Sequence, residues 1–450
     1  MLHVDGTTGT GGAAPTPVHD PSTGAVLAEV ATADAQDVET AVRAARRAHD
    51  RAWGRVPGVQ RGQALLRLAR GVRDRAEDLA ALESLDTGIP LRQTRERDVP
   101  AVLAHLVHHA GWADKLVHAG YGPGPDGTGP RALGVVAVLV PDTSSLVLAV
   151  RTVAAALAAG NAVVLVPAAA SPLSALALAR VAEEAELPPG VLTVLPGGPD
   201  VRAALAGHPG TSSVTMVGSA AEAAVLQRQL AGRATLLTLE LGGPATTLVL
   251  ADADVARAAD GLAASITAHH QLAGAGSRVV VHADRADALI AELRTRLAGL
   301  RVGDALDPAT EVGPLATAEL WAATGELLNP GAGALWRSPA PVPGEGWFLP
   351  PALRTGVVDS APAPAGTVLT APAPAGPVLT VHVVDSQDAA AALLRAQPSG
   401  LGLGVWTADP DLPTALARWL RRDVLHDGCP LPALGHGGGP ASLEGYLDVR

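Results

Sequence analysis

The sequence predicts an α/β protein built on parallel sheets, and three observations carry that prediction. From Gly134 onward, strand-length apolar runs alternate with stretches whose apolar residues recur at helical spacing. The runs are mostly β-branched residues and leucine, with little polar alternation, the pattern of strands covered on both faces. Hydrophobic residues make up 48% of the 450 residues and charged residues 17%, which excludes a charge-driven disordered chain and provides apolar surface for several cores.

The elements follow in order. A Gly/Thr/Pro-rich start runs to about Pro17, and a turn at Asp20-Pro21-Ser22-Thr23-Gly24 leads into a helix. There Val38, Ala41, Val42, Ala45 and Ala48 share a face opposite Glu39, Arg43, Arg46 and Arg47. A second helix is expected from Val59 to Thr87, stopped by Gly88, and a third from Val99 to Val117. Together they form an outer helical layer. Gly120 to Pro130 is a Gly/Pro-rich excursion. The predicted strands are Gly134 to Val140, Ala162 to Val166, Val191 to Leu195, Val214 to Val217 and Leu236 to Leu241. One intervening helix opens with Ser171 as N-cap and Pro172 as first helical residue. A second βα-rich region runs from Thr246 to Leu425, its middle from Asn329 to Ala375 irregular. Such sheets bind ligands at the carboxyl ends of their strands.

Charge limits the partners. A net charge of −11 repels a phosphate backbone or an anionic membrane surface, so neither nucleic acid nor membrane is expected. The one cysteine, Cys429, forms no intramolecular disulfide, and no secretory leader is evident, which places the protein in the cytoplasm. The least charged stretch, Thr152 to Ala179, is interrupted by Gly160, Asn161, Pro167 and Pro172 and reads as buried core. Lys115 is the only lysine, and Asn161 and Asn329 are the only asparagines.

Several segments together resemble the aldehyde dehydrogenase superfamily over nearly the whole chain. They include Asp20-Pro21-Ser22-Thr23-Gly24, Leu82 to Gly88, Ala110 to Lys115, Leu157-Ala158-Ala159-Gly160-Asn161, Glu240-Leu241-Gly242-Gly243, Val302-Gly303-Asp304, Glu311 to Leu315, Gly376-Pro377-Val378 and His436-Gly437-Gly438. The resemblance implies a Rossmann-type nucleotide-binding domain from residues 1–119 and 134–241, a catalytic-type α/β domain from 242–439, and a reduced oligomerisation arm from 120–133 and 440–450.

It also implies a chemistry. In that family a cysteine thiolate attacks the aldehyde, a backbone N–H and an asparagine amide hold the oxyanion, hydride passes to NAD(P), and a glutamate activates water. Against that pattern this chain is a degenerate member. Gly276-Ser277-Arg278 sets Ala273 at the place of the nucleophile, and Pro141-Asp142-Thr143 sets Thr143 at the place of the oxyanion asparagine. Val166 and Ala169 replace the lysine and glutamate that grip the adenosine ribose, and Ala373 replaces the glutamate on the nicotinamide ribose. Glu240 stands at the position of the water-activating base, as a relic. Gly218 and Ser219 stand where a helix N-terminus would meet the pyrophosphate through backbone N–H groups alone.

The implied function is a pseudoenzyme: a structural or regulatory subunit, paired with an active homologue or with itself, or a ligand-binding shell. NAD(P) is expected to bind weakly at most. The alternative is a residual NAD(P)-dependent aldehyde oxidoreductase. Other candidate groups are read as inert. Cys429 lies on a loop without a dedicated base, Lys115 is a solvated surface lysine beside Asp114, and His105, His108 and His109 share a helix as solvated or partly packed side chains, with no metal expected. His269 and His270 precede Ala273 and are placed by the resemblance near the cleft.

Overall fold

The computed structural model describes residues 2–4, 6–115, 131–143, 145–241, 246–269, 278–329, 333–356, 376–395, 403–420, 424–427 and 446–448. Ala273, Ala373, His270 and Cys429 lie outside them, as does the Gly120 to Pro130 excursion.

In chain order the first part supplies strands β1 (Leu2–Val4), β2 (Thr7–Gly9), β3 (Ala13–His19), β4 (Val26–Thr32), β5 (Arg131–Ala132), β6 (Val135–Leu139), β7 (Ala162–Val166), β8 (Leu192–Val194), β9 (Ser213–Gly218) and β10 (Leu236–Leu241). Seven of these form one sheet in the order β10-β9-β6-β7-β8-β1-β2. The five strands from β10 to β8 are mutually parallel, β1 is antiparallel to β8, and β2, antiparallel to β1, forms the edge. The Gly/Thr/Pro-rich start of the chain contributes β1 and β2 to this sheet, and β3 pairs with β4 in a separate two-stranded sheet. Pairing with β8, which local propensity does not register, supplies the stability of β1 and through it of β2.

Successive residues of β6 point to opposite faces, as a period of two requires. Val135, Ala137 and Leu139 join the core beneath the helix Ala35–Arg51, with Val38, Ala41, Val42 and Ala45. Val136 and Val138 join the core on the other face, under the helices Gly58–Asp74 and Ser145–Ala158. The helix Ala35–Arg51 opens with a reciprocal cap: the Asp34 carboxylate accepts from the backbone N–H of Gln36 and Asp37, while that of Asp37 accepts from the Asp34 N–H.

The single helix expected from Val59 to Thr87 is two, Gly58–Asp74 and Ala76–Thr87, separated at Arg75. Each half buries its own stripe, Leu65, Leu68 and Val72 in one and Leu79, Ala80 and Glu83 in the other. Gly88 does end the second half. Its φ of +75° is left-handed, and a Cβ there would stand 2.8 Å from the Pro314 carbonyl oxygen.

The second part supplies β11 (Thr246–Val249), β12 (Arg278–His282), β13 (Ala334–Arg337), β14 (Ala352–Thr355), β15 (Val378–Val384), β16 (Leu403–Trp406) and β17 (Val424–His426), in the order β13-β14-β15-β12-β11-β16-β17. All are parallel to their neighbours except β13, which pairs antiparallel with β14. The stretch expected to be irregular thus contributes this antiparallel edge. Near the chain end β18 (Leu447–Asp448) pairs with β5, which brings the two halves of the expected arm together within one chain. Among the described residues no helix is long and apolar enough to cross a membrane.

Candidate functional site

In the first sheet the chain runs from β6 outward through β7 to β8, then returns to the other side of β6 with β9 and β10. The order therefore reverses at β6, and the crevice outside the carboxyl ends of β6 and β9 is the position at which a doubly wound sheet admits a ligand. Sequence-predicted residues converge there. Thr143 follows β6 and is buried, Val166 ends β7 and is buried, and Ala169 is half-buried just beyond it. Gly218 ends β9, Ser219 follows it, and Glu240 lies near the end of β10 opposite Val217.

Two buried acids hold the starts of the helices that follow β6 and β7. The Glu83 carboxylate accepts from the Leu146 N–H at 3.2 Å, at the start of the helix Ser145–Ala158. The Asp86 carboxylate accepts from the N–H groups of Leu173 and Ser174 at 2.6 and 3.4 Å, at the start of the helix Leu173–Glu184. The cap of that helix is therefore Asp86, from a distant segment, and not Ser171, whose hydroxyl donates instead to the Asp142 carbonyl at 3.1 Å. Both helix N-termini at the carboxyl edge of the sheet are thus satisfied by the protein's own carboxylates.

Burial, reinforced by the charge of Glu83, holds the Asp86 carboxyl well above the usual carboxylate range, against the opposing pull of the two backbone N–H groups. A carboxyl group raised in the folded state contributes stability that is full below its unfolded pKa and is lost as the pH rises through the folded value. Asp86→Asn removes that loss. The Tm of the variant relative to the wild type should therefore climb as the pH is taken from about 4 to 7, measured by thermal unfolding. A difference independent of pH would contradict the assignment.

The helix N-terminus at Ser219 is likewise occupied. Ser219 Oγ accepts from the Glu222 N–H at 3.2 Å, and the Glu222 carboxylate accepts from the Ser219 N–H at 3.1 Å and from its hydroxyl at 2.9 Å. A Cβ on Gly218 would stand 2.9 Å from Glu222 Oε2, so the carboxylate lies directly against the turn. Arg202 crosses nearby, bonded to the Val140 carbonyl and paired with Glu222 at 3.2 Å. The Glu222 carboxylate thus takes up a backbone donor at the start of this helix, and Val166 and Ala169 carry no polar side-chain atoms.

Glu240 has a partner that sequence reasoning missed. Its carboxylate, one-third exposed, is ion-paired with the guanidinium of Arg151, whose side chain is 5% exposed within the helix Ser145–Ala158. Burial lowers the pKa of Arg151, with Tyr446 pulling the other way. Tyr446 is itself buried, its hydroxyl 3.2 Å from that of Thr215 on β9. The signal available in the sequence was a lone arginine in an otherwise apolar helix. Asn161 was another: fully buried, it accepts from the Gly134 N–H at 3.0 Å and donates to the carbonyls of Ala156 and Tyr446 at 3.2 and 2.9 Å, fastening the chain end beneath the sheet.

The remaining candidates separate. His109 is wholly buried, edge-on to His108 with ring centroids 5.1 Å apart and stacked on His105 at 6.3 Å. The third helix, Val99–Trp112, therefore carries a more buried histidine face than an outer layer implies. Burial, then Arg151 and His108, push the pKa of His105 down to about 4. Among the described residues no three His, Cys, Asp or Glu side chains converge as a metal site. Lys115 is exposed and pairs with Asp114 at 2.8 Å.

Parallel Rossmann-like and second α/β sheets with this constellation at their edge define the fold class, and comparison with known proteins places the chain in it. The family model described as aldehyde dehydrogenase family matches residues 8–422, and the chain belongs to that family. It is 31% identical to the mitochondrial benzaldehyde dehydrogenase of Antirrhinum majus, over 96% of this chain and 84% of that one. It is 32% identical to the putative aldehyde dehydrogenase DhaS of Bacillus subtilis over 67% of this chain, and that match spans 62% of DhaS. A solved structure of a putative aldehyde dehydrogenase from Burkholderia cenocepacia superposes with a TM-score of 0.88 at 31% identity, covering 99% of this chain and 95% of that one.

Proposed function

We propose that this chain is a non-catalytic member of the aldehyde dehydrogenase family, a cytoplasmic pseudoenzyme that serves as a structural or regulatory subunit, beside an active homologue or a second copy of itself, or as a ligand-binding shell. One observation carries the reading. The chain has a single cysteine, Cys429, beyond residues 8–422, so the segment that matches the family contains no thiol at all. A family chemistry that begins with thiolate attack on a carbonyl has no nucleophile there. Ala273 stands at its expected position, Thr143 replaces the oxyanion amide, and Glu240 is held by Arg151 as one half of an ion pair.

The residues present fit NAD(P) poorly. Val166, Ala169 and Ala373 supply none of the ribose contacts, and the Glu222 carboxylate faces the place of the pyrophosphate. Titration with NAD and NADP by isothermal calorimetry tests this. The expected result is no saturation below about millimolar dinucleotide, roughly 1,000-fold weaker than a micromolar site and about 4.1 kcal/mol in affinity. Saturable binding in the micromolar range would favour the alternative, a residual oxidoreductase.

A further inference from the structure

The opposite edge of the first sheet carries a feature unrelated to the family chemistry. The helix Ala35–Arg51 and the turn His208 to Gly210 enclose a groove of about 310 Å³, lined by Arg43, Arg46, Arg47 and Arg51 with Glu39 and His208. The turn immediately precedes β9, so the groove lies at the amino ends of the parallel strands, away from the crevice at their carboxyl ends.

Its charge is the reverse of the chain's. Four guanidinium groups face two carboxylates, Glu39 and Asp50, in a protein of net charge −11. Two of its ion pairs are loose, Arg43 to Glu39 at 3.7 Å and Arg46 to Asp50 at 3.9 Å, with all four side chains about half exposed, contacts worth little in water. Glu39 is further committed to the wall. The Gly210 N–H donates to His208 Nδ1 at 2.9 Å, which puts the imidazole proton on Nε2, and that nitrogen meets Glu39 Oε2 at 2.8 Å. This hydrogen bond lowers the Glu39 pKa. The turn is also pressed close to the helix: a Cβ on Gly210 would lie 2.7 Å from Val42 Cγ1.

The arginines recur at three-, four- and eight-residue spacing, so their heads line a strip about 12 Å long on one side of the helix. Planar guanidinium forks arrayed in this way match oxyanions that accept two hydrogen bonds at once. We propose that this groove binds a small molecule carrying two or more phosphate groups. Its size and the chain's net charge of −11 argue against a nucleic-acid strand.

Inorganic tripolyphosphate is the probe. Calorimetric titration of the full chain at low salt should show one saturable site that weakens steeply between 50 and 200 mM salt. Arg46→Gln/Arg51→Gln should weaken it at least 10-fold with thermal unfolding unchanged, because both side chains are exposed. Glu39→Gln, which removes a competing carboxylate, should tighten it about threefold. Three results would overturn the proposal: no saturation, affinity unchanged in the double variant, or a short single-stranded oligonucleotide binding more tightly than tripolyphosphate.

Discussion

Glu240→Gln should lower the free energy of unfolding by about 2 kcal/mol in urea denaturation, while Arg151→Met should cost about half as much or less. The asymmetry follows from burial. Taking the carboxylate away removes a charge partner from a guanidinium 5% exposed to solvent, and deleting one member of a buried pair costs about 3–5 kcal/mol. The one-third exposure of Glu240 screens the pair and reduces that figure. Removing the arginine instead leaves a carboxylate that water can reach, and methionine fills comparable apolar volume. A glutamate kept as a free general base would behave differently, its amide variant losing activity without loss of stability. If Glu240→Gln proves as stable as the wild type, the ion pair does not hold the residue and the relic assignment fails.

The parallel core was legible because its signals are local. Val135 to Leu139 and Ala162 to Val166 are uninterrupted apolar runs, and a run buried on both faces can only be an inner strand. Thr143, Gly218 and Glu240 were singled out by the resemblance to the family, and the structure sets them at or just beyond the carboxyl ends of β6, β9 and β10.

What escaped the sequence was long-range pairing. Nothing near Glu240 announces Arg151, which reaches it from a helix two strands away in the sheet order. Ser171-Pro172 has the form of a helix start, yet the carboxyl that caps the helix is that of Asp86, which accepts from two backbone N–H groups across a long stretch of chain. Strands β1 and β2 and the β13–β14 pair lie in Gly- and Pro-rich sequence and exist as edges of sheets formed elsewhere. The break at Arg75 has neither Pro nor Gly to mark it.

Aldehyde-dependent formation of NAD(P)H by the purified wild-type chain, followed by absorbance with aliphatic and aromatic aldehydes and run beside Ala273→Cys and an active family member, tests the absence of catalysis most directly. Loss of the nucleophile alone lowers turnover by several orders of magnitude, and loss of an oxyanion donor by a further 10²–10³-fold or so. The wild type is therefore expected at least about 10⁴-fold below the active relative, at the level of a no-enzyme control. Saturable turnover by the wild type, inhibited by excess dinucleotide analogue, would contradict the account.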